Sequence, residues 1–437
     1  MPRSSYLMPI RVTACVIGTC YVSTQSRCKL VRTITHLLSC SPVGAKLVCK
    51  RKASIVAGMP VLSTPPLNRE PELASLTSSF LTDTSIRPYN RNHCPIPDSL
   101  DAFTHSVYVD GLVSNSLNLS VSDLRNSFPQ HDVTCVLQCA GNRRHTMRTL
   151  LKEVDGVDWG SAAVMNCTWR GPRLRDVLLK AAPTLADEDR GERKVGDLQQ
   201  ELHVAFACSA VPCQDDSWYG ASISMDRALR QNAEVILALE MNGAPLTQEH
   251  GFPVRVIVPG VAGARAVKWL DHITVQREMS SNHYMHFDYK ILPPEAVDAE
   301  TARTFWHKVP PVMDMPANSA ITSPRNEDTV ETNAEGFITV DGYALPRGED
   351  GPVKRVEVSI DKERWVDAEL FTHPMESKWT WKIWKVKVQV EPGERRCLYS
   401  RTTDEAGNSQ PQRSQWNLRG VCYNGYGEVR NLKVVKG

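Results

Sequence analysis

The strongest constraint on how this chain folds is a change of hydrophobic period near residue 312. Beyond that point apolar and polar residues alternate in short runs, at Phe337 to Val340, Val353 to Ile360 and Val386 to Val390, separated by turn pairs such as Asp341-Gly342 and Pro392-Gly393. A period of two with regular turns predicts a β-sandwich of immunoglobulin type over 312–437. Before residue 312 the pattern is mixed. Short strands are expected around Asp110-Gly111, between Val107 and Leu119, and Ser120 with Asp123 forms a capping box opening a helix over Val121 to Phe128. Val133 to Leu137 reads as a strand running into Cys139, and Leu174, Val177, Leu178 and Ala181 keep one helical face. Pro253 marks the start of a buried strand, Val254 to Val258, closed by Pro259-Gly260. At 437 residues the chain is too long for one core. The expected division is a basic extension over 1–67, an α+β domain over 68–311 and the sandwich over 312–437.

Charge separates the extension from the rest. The first acidic residue is Glu70, and Arg3, Arg11, Arg27, Lys29, Arg32, Lys46, Lys50, Arg51 and Lys52 precede it among many Ser and Thr. That composition fits a mitochondrial transit peptide, a disordered tail or a mis-set start; a cytoplasmic or peroxisomal location is the alternative. Pro60, Pro65 and Pro66 mark a linker into the folded part. The formal net charge of +2 offers no global field for nucleic acid, and no apolar run is long enough to span a bilayer. The 13 cysteines include no Cys-x-x-Cys pair, which argues against zinc ribbons, ferredoxin clusters and thioredoxin chemistry. A cysteine with a chemical task here would be a single ligand or a nucleophile.

Gln138-Cys139-Ala140-Gly141-Asn142-Arg143-Arg144 is the most unusual segment. The strand fixes the cysteine, Gly141 permits a sharp turn, and two guanidiniums make the surroundings electropositive, which in general favours thiolate. Taken alone, the cysteine fits packing better than ligation. A second segment shifts that balance. His250-Gly251-Phe252-Pro253-Val254-Arg255 leads into Pro259 to Trp269, a glycine-rich loop carrying Arg265 and Lys268. Glycines admit close backbone approach and the cations suit a phosphate or another oxyanion, although neither the Walker nor the Rossmann spacing fits. Tight turns with solvated charges are the plainer reading. Arg91, in Tyr89-Asn90-Arg91-Asn92-His93, and Arg419, in Trp416 to Gly420, are surface arginines by default.

Together these segments resemble the sulfite oxidase and eukaryotic nitrate reductase family. The resemblance continues through Tyr219 to Ser222, Glu240 to Gly243, Asp288-Tyr289-Lys290 and Asn318 to Thr322, in order from about residue 68 to the end. It implies a molybdopterin-binding α+β domain followed by an immunoglobulin-like dimerisation domain, and hence a homodimer. It implies molybdenum-molybdopterin with Cys139 as the metal's thiolate ligand. His250, Arg255 and Lys268, with the backbone of Ala266 and Val267, would grip the pterin and its phosphate, and Tyr89, Asn90, Arg91, Asn92 and His93 would form another cofactor contact. Arg91, Arg144 and Arg419 would hold a compact oxyanion beside Trp159 and Tyr289, with Tyr289 as hydrogen-bond donor or proton relay and Trp159 equally suited to core packing.

The implied reaction is oxygen-atom transfer to sulfite, giving sulfate. Nitrate reductases replace the last pocket arginine with an uncharged residue, so Arg419 favours sulfite; nitrate, another oxyanion, or an inactive dimeric homologue are the alternatives. No haem-binding His-Pro-Gly-Gly segment and no flavin module is apparent, so an external electron acceptor is expected, oxygen or a cytochrome. Three features depart from the family pattern. Asp155 stands where a basic residue is usual, Asp215 is a weak match to a cofactor-contacting Asp in the segment Cys208 to Trp218, and Tyr423-Asn424-Gly425-Tyr426 replaces a Trp-containing tail.

Overall fold

A computed structural model describes residues 65–437, apart from 185, 188–190 and 193–201. The readings of residues 1–64 therefore lie outside the described residues.

Two sheets frame the first half. Strand Gln130–Gln138 pairs antiparallel with Val164–Pro172 along its whole length, and Glu240–Met241 and Ala244–Pro245 extend this sheet. Val133, Cys135 and Leu137 alternate inward, as the period of two requires. The second sheet has the order Tyr219–Ser224, His203–Cys208, His272–Gln276, Ser106–Gly111, Leu117–Ser120, and only the pair His272–Gln276 with Ser106–Gly111 is parallel. Helix Leu174–Ala181 turns Leu174, Val177, Leu178 and Ala181 fully into the core, so the spacing i, i+3, i+4, i+7 delivers one apolar stripe. The Ser120–Asp123 capping box is present, on a helix over Val121–Asn126, two residues shorter than the sequence pattern suggests. The strand expected over Val254 to Val258 is Arg255–Ile257, paired with Ile236–Ala238.

The second half is a sandwich of two sheets. One has the order Asn318–Ser323, Phe337–Leu345, Lys382–Gln389, Glu369–Leu370; the other Thr329–Thr332, Gly427–Lys436, Gly393–Asp404, Val353–Ser359, Val366–Asp367. Val340, Val358, Trp384, Leu398 and Leu432, drawn from both sheets, fill the space between them with no exposed surface.

The halves interlock within one unit from Val61 to Gly437. Trp379, on a sandwich loop, joins the buried cluster that contains Cys139 and donates its indole N–H to Glu234 Oε2 at 2.7 Å. Trp381 packs against Val164 and donates to the Phe80 carbonyl at 2.8 Å. Arg143 corrects a sequence-based expectation. The chain does turn sharply through Gly141, the Asn142 N–H returning to the Cys139 carbonyl at 2.9 Å, and the left-handed residue of the stretch is Arg143, φ 65°. Its guanidinium points away from the cysteine. It donates to Asn318 Oδ1 at 2.6 Å and to the carbonyls of Ser319, Gly425 and Tyr426 at 3.1, 2.8 and 2.6 Å. Arg265, from the glycine-rich loop, is spent the same way on the carbonyls of Val312, Tyr284 and Tyr289. Neither arginine supplies charge for an anion.

Candidate active site

Where the two framing sheets approach, a pocket of about 640 Å³ opens. Gly263 lets the glycine-rich loop close over the strand that carries Cys139, since a Cβ there would lie 3.0 Å from the Gln138 carbonyl oxygen. Gly141 has a second task besides the turn: its Cβ would fall 2.5 Å from the Arg144 guanidinium, so glycine lets that cation fold back beside the cysteine. Cys139 sits in the pocket wall, buried, its Sγ accepting from the Gly141 N–H at 3.4 Å.

Of the residues proposed from sequence, Tyr89, Asn90, Arg91, Asn92, His93, Cys139, His250, Arg255, Ala266, Lys268 and Tyr289 line this pocket. Four others stand off the wall. Val267 faces the core, and its carbonyl accepts the Val256 N–H. Trp159 packs edge-on against Tyr89, ring centroids 5.9 Å apart, in the same buried cluster as Cys139. Arg144 donates to the carbonyls of Arg419 and Val157 at 3.0 and 2.8 Å, and Arg419 pairs with buried Asp288 through Nε at 3.1 Å. Asp215 is exposed and meets Tyr284 twice, its N–H donating to the phenol oxygen at 3.2 Å and its Oδ2 accepting from the phenol at 3.4 Å; the neighbouring Asp216 caps Asn282 and His283. Asp155 is exposed, its N–H bonded to the Leu418 carbonyl, and its charge reinforces that of Arg419.

At one end of the pocket, two groups have polar atoms with no partner among the described residues. Burial, then Lys268 and Arg255, push the His250 imidazole down to about 3, so it is neutral; its Nδ1 is 2.8 Å from Thr247 Oγ1 and its Nε2 has no partner. The Asn92 amide is buried with both atoms unpaired. Lys268 Nζ reaches Asn90 Oδ1 and the Glu249 carbonyl, each at 2.9 Å, and burial with Arg255 beside it lowers its pKa well below the usual lysine value. Arg255 is lowered to about 10, first by burial, and spends two nitrogens on the carbonyls of His250 and Ala266. None of the lining residues is acidic. Uncompensated cations and orphaned polar groups in one wall fit a bound anionic group with several hydrogen-bonding atoms, as a pterin phosphate is.

At the other end, a relay is fixed by donor count. Arg91 NH2 lies 3.2 Å from His93 Nδ1. A guanidinium can only donate, so Nδ1 accepts and the imidazole proton sits on Nε2, 2.6 Å from the Tyr289 hydroxyl oxygen. Burial first, then Arg91, hold His93 neutral, well below its usual range. The hydroxyl oxygen therefore receives a hydrogen bond, and its own proton is free to point elsewhere. Asp288 completes the cluster. Burial opposes its charge, but Arg419, His93 and Arg91 overcome that and keep its carboxyl below the usual range. Arg91 is also raised: burial works against it, while Tyr289, Cys139 and Asp288 outweigh that. Asp288 lay inside a quoted motif, but nothing in its spacing marks it as the partner of Arg419. Met165, Tyr219 and Cys94 also line the pocket and carried no role in the sequence reading.

Residues 93–284 match the oxidoreductase molybdopterin binding domain, and residues 309–433 match the Mo-co oxidoreductase dimerisation domain. The chain is 38% identical to a sulfite oxidase of Arabidopsis thaliana, over 82% of this chain and 89% of that one. It belongs to the sulfite oxidase family. The mitochondrial sulfite oxidase of Homo sapiens is 41% identical over 377 residues, 84% of this chain but only 65% of that relative's length. Among solved structures, the sulfane dehydrogenase SoxCD of Paracoccus pantotrophus shares the fold, with TM-score 0.64 at 23% identity, covering 83% of this chain and 86% of that one. The fold is thus the α+β molybdopterin-binding domain of the sulfite oxidase family followed by an immunoglobulin-like β-sandwich.

Proposed function

We propose that this chain oxidises sulfite to sulfate with molybdenum-molybdopterin seated in the pocket beside Cys139. The observation that carries the reading is the pocket itself: a buried thiol in its wall, a neutral His250 and the unpaired Asn92 amide beside Arg255 and Lys268 at one end, and Arg91 and Tyr289 at the other, with the Arg419–Asp288 pair off the wall. When bound, the cofactor supplies oxygen-atom transfer, which no side chain can perform alone. Cys139 would be the protein's ligand to the metal, a soft thiolate suited to it. His250 Nε2, the Asn92 amide and Lys268 would hold the pterin and its phosphate, with Tyr89 and Asn90 flanking them. An anionic phosphate would offset the burial and the Arg255 charge that lower the Lys268 pKa.

On the substrate side, Arg91, Arg144 and Arg419 would receive the oxyanion, and Asp288 holds Arg419 in place without cancelling three cations. His93 acts as a positioning residue: its Nε2–H occupies the Tyr289 oxygen and leaves the phenolic proton to donate to substrate. Trp159 braces Tyr89 behind the thiol. Arg419 favours sulfite over nitrate, because guanidinium forks match a compact dianion. A homodimer through residues 312–437, an external acceptor such as oxygen or a cytochrome, and a mitochondrial location complete the reading; the last rests on the basic extension and on the names of similar chains.

The test is to produce the protein in a cofactor-making host, measure molybdenum by mass spectrometry, and follow sulfite-dependent reduction of ferricyanide. About one molybdenum per chain with sulfite turnover is expected. A molybdenum-loaded protein inert to sulfite would overturn the reading.

A further inference from the structure

Cys94 directly follows the pocket segment Arg91-Asn92-His93 and forms part of the pocket wall, while only 2% of its surface is exposed overall. Behind it lies Cys213, fully buried. Backbone geometry sets the two against each other. The Gln214 N–H donates to the His93 carbonyl at 3.0 Å. One residue after the acceptor and one before the donor are the facing positions of a non-hydrogen-bonded antiparallel pair, and these are Cys94 and Cys213. The second bond of such a pair would need an N–H at residue 95, which is Pro95, so only half the ladder forms. Facing residues of this kind have Cα atoms about 4.5 Å apart, inside the window of about 4.4–6.8 Å that a disulfide spans. Both belong to the same buried cluster, and all described cysteines are free.

The surroundings give the two sulfurs different characters. Cys94 is held below the usual thiol range, first by its contact with Cys213 and further by Lys268 and Arg91 in the same wall, while burial opposes this. Cys213 is pushed up, first by its contact with Cys94 and then by burial. Its loop is tied by the Cys213 N–H to the Asp216 carbonyl at 2.8 Å, and Asp216 is itself anchored on Asn282 and His283. One thiol is thus accessible from the pocket and inclined to ionise; the other is a fixed proton donor behind it.

We propose that Cys94 and Cys213 are an oxidisable pair, which closes to a disulfide when a hydroperoxide reaches the unfilled pocket. The Cys94 thiolate attacks the peroxide oxygen; an S–O bond forms, the O–O bond breaks, and the leaving oxygen takes a proton as water or alcohol. The Cys213 sulfur then attacks the Cys94 sulfur. The S–S bond forms, the S–O bond breaks, and hydroxide leaves with the Cys213 proton as water. Two thiols lose two electrons and the peroxide gains them. A ligand filling the pocket covers Cys94 and blocks the first step, so the pair responds to oxidant before the cofactor is loaded and is protected afterwards. The inference depends on the pocket and on its being filled, not on sulfite being the substrate.

The experiment exposes wild-type protein, with and without its cofactor, to hydrogen peroxide, alkylates free thiols, and maps peptides without reduction. A Cys94–Cys213 linked peptide is expected, appearing several-fold faster in the cofactor-free protein and reversed by dithiothreitol. Cys213→Ser should leave Cys94 as a sulfenic acid trapped by dimedone. Cys208→Ser, which removes the third buried thiol nearby, should leave the linked peptide unchanged. A link to Cys208 in place of Cys213, or no link at all in the wild type, would overturn the pair. Equal rates with and without cofactor would overturn the pocket route.

Discussion

Arg143 and Arg144 are neighbours in sequence and almost equally buried, yet they belong to different regions with different physics. In the seam between the two halves, the hydrogen bonds of Arg143 and Arg265 go to backbone carbonyls and one amide oxygen, and they clamp the sandwich onto the first domain. Around the pocket, Arg91 and Arg419 hold partners that leave net positive charge, and buried Asp288 is set between them and raises both. Cation count therefore says little about function. What separates a clamp from an anion site is whether the surrounding acceptors already satisfy the guanidinium.

The largest effect should come from breaking a clamp. Arg143→Met removes four charge-assisted hydrogen bonds, each worth about 1.5–3 kcal/mol, and although Gln410 Nε2 still serves Asn318 Oδ1 and the Gly425 carbonyl, stability should fall by at least ~3 kcal/mol in a urea titration. The sulfite KM of whatever folds should stay within about twofold, a surface-level effect. A KM that moves as far as the stability would erase the distinction between the regions. Next comes the pocket. Arg419→Met should raise the sulfite KM about 100-fold, roughly 3 kcal/mol, with molybdenum retained. Adding Asp288→Asn should recover part of the loss, because it removes the buried carboxylate left without its partner. Lost molybdenum instead would place Arg419 among the clamps.

A smaller effect concerns His250 in cofactor-free protein. Its folded value of about 3 lies below the unfolded value of about 6.5, so between them the unfolded state binds more protons. Its contribution is full above about pH 6.5 and is lost as pH falls towards 3, by at most ~1.4 kcal/mol per pH unit. Urea melts at several pH values should show a shallower slope for His250→Gln; an unchanged slope would mean that other groups carry it. The smallest effect belongs to Asp155, exposed beside Arg419. Asp155→Asn should lower the sulfite KM about threefold at low salt and not at high salt, as a screened surface charge requires.

Much of this was legible in the sequence, for identifiable reasons. Alternation in Phe337 to Val340 and Val386 to Val390 marks strands because one face of each is buried in a sandwich. The helix at Leu174–Ala181 is legible because its stripe meets the core without interruption. Eleven of the residues named from motifs line one pocket, since the strand ends and loops that carry them converge where the two sheets meet. Other features depend on contacts far apart in the chain. Arg143 looks like an anion ligand until Gly425 and Tyr426 are seen to receive it. Asp288 gains its task only from Arg419, and Cys94 only from Gln214 and Cys213. Gly141 reads as a turn residue, and it is one, but the room it also leaves for the guanidinium of Arg144 shows only in the fold.

The central claim is that Cys139 binds the metal, and Cys139→Ser tests it directly. Molybdenum content and the charge-transfer absorption that sulfite bleaches should be measured side by side in wild type and variant. The wild type should contain molybdenum and bleach with sulfite. The variant should keep its fold and much of its metal, held through the pterin end of the pocket, while the thiolate absorption disappears and turnover is nearly abolished. A Cys139→Ser protein with unchanged absorption and unchanged sulfite turnover would contradict the assignment.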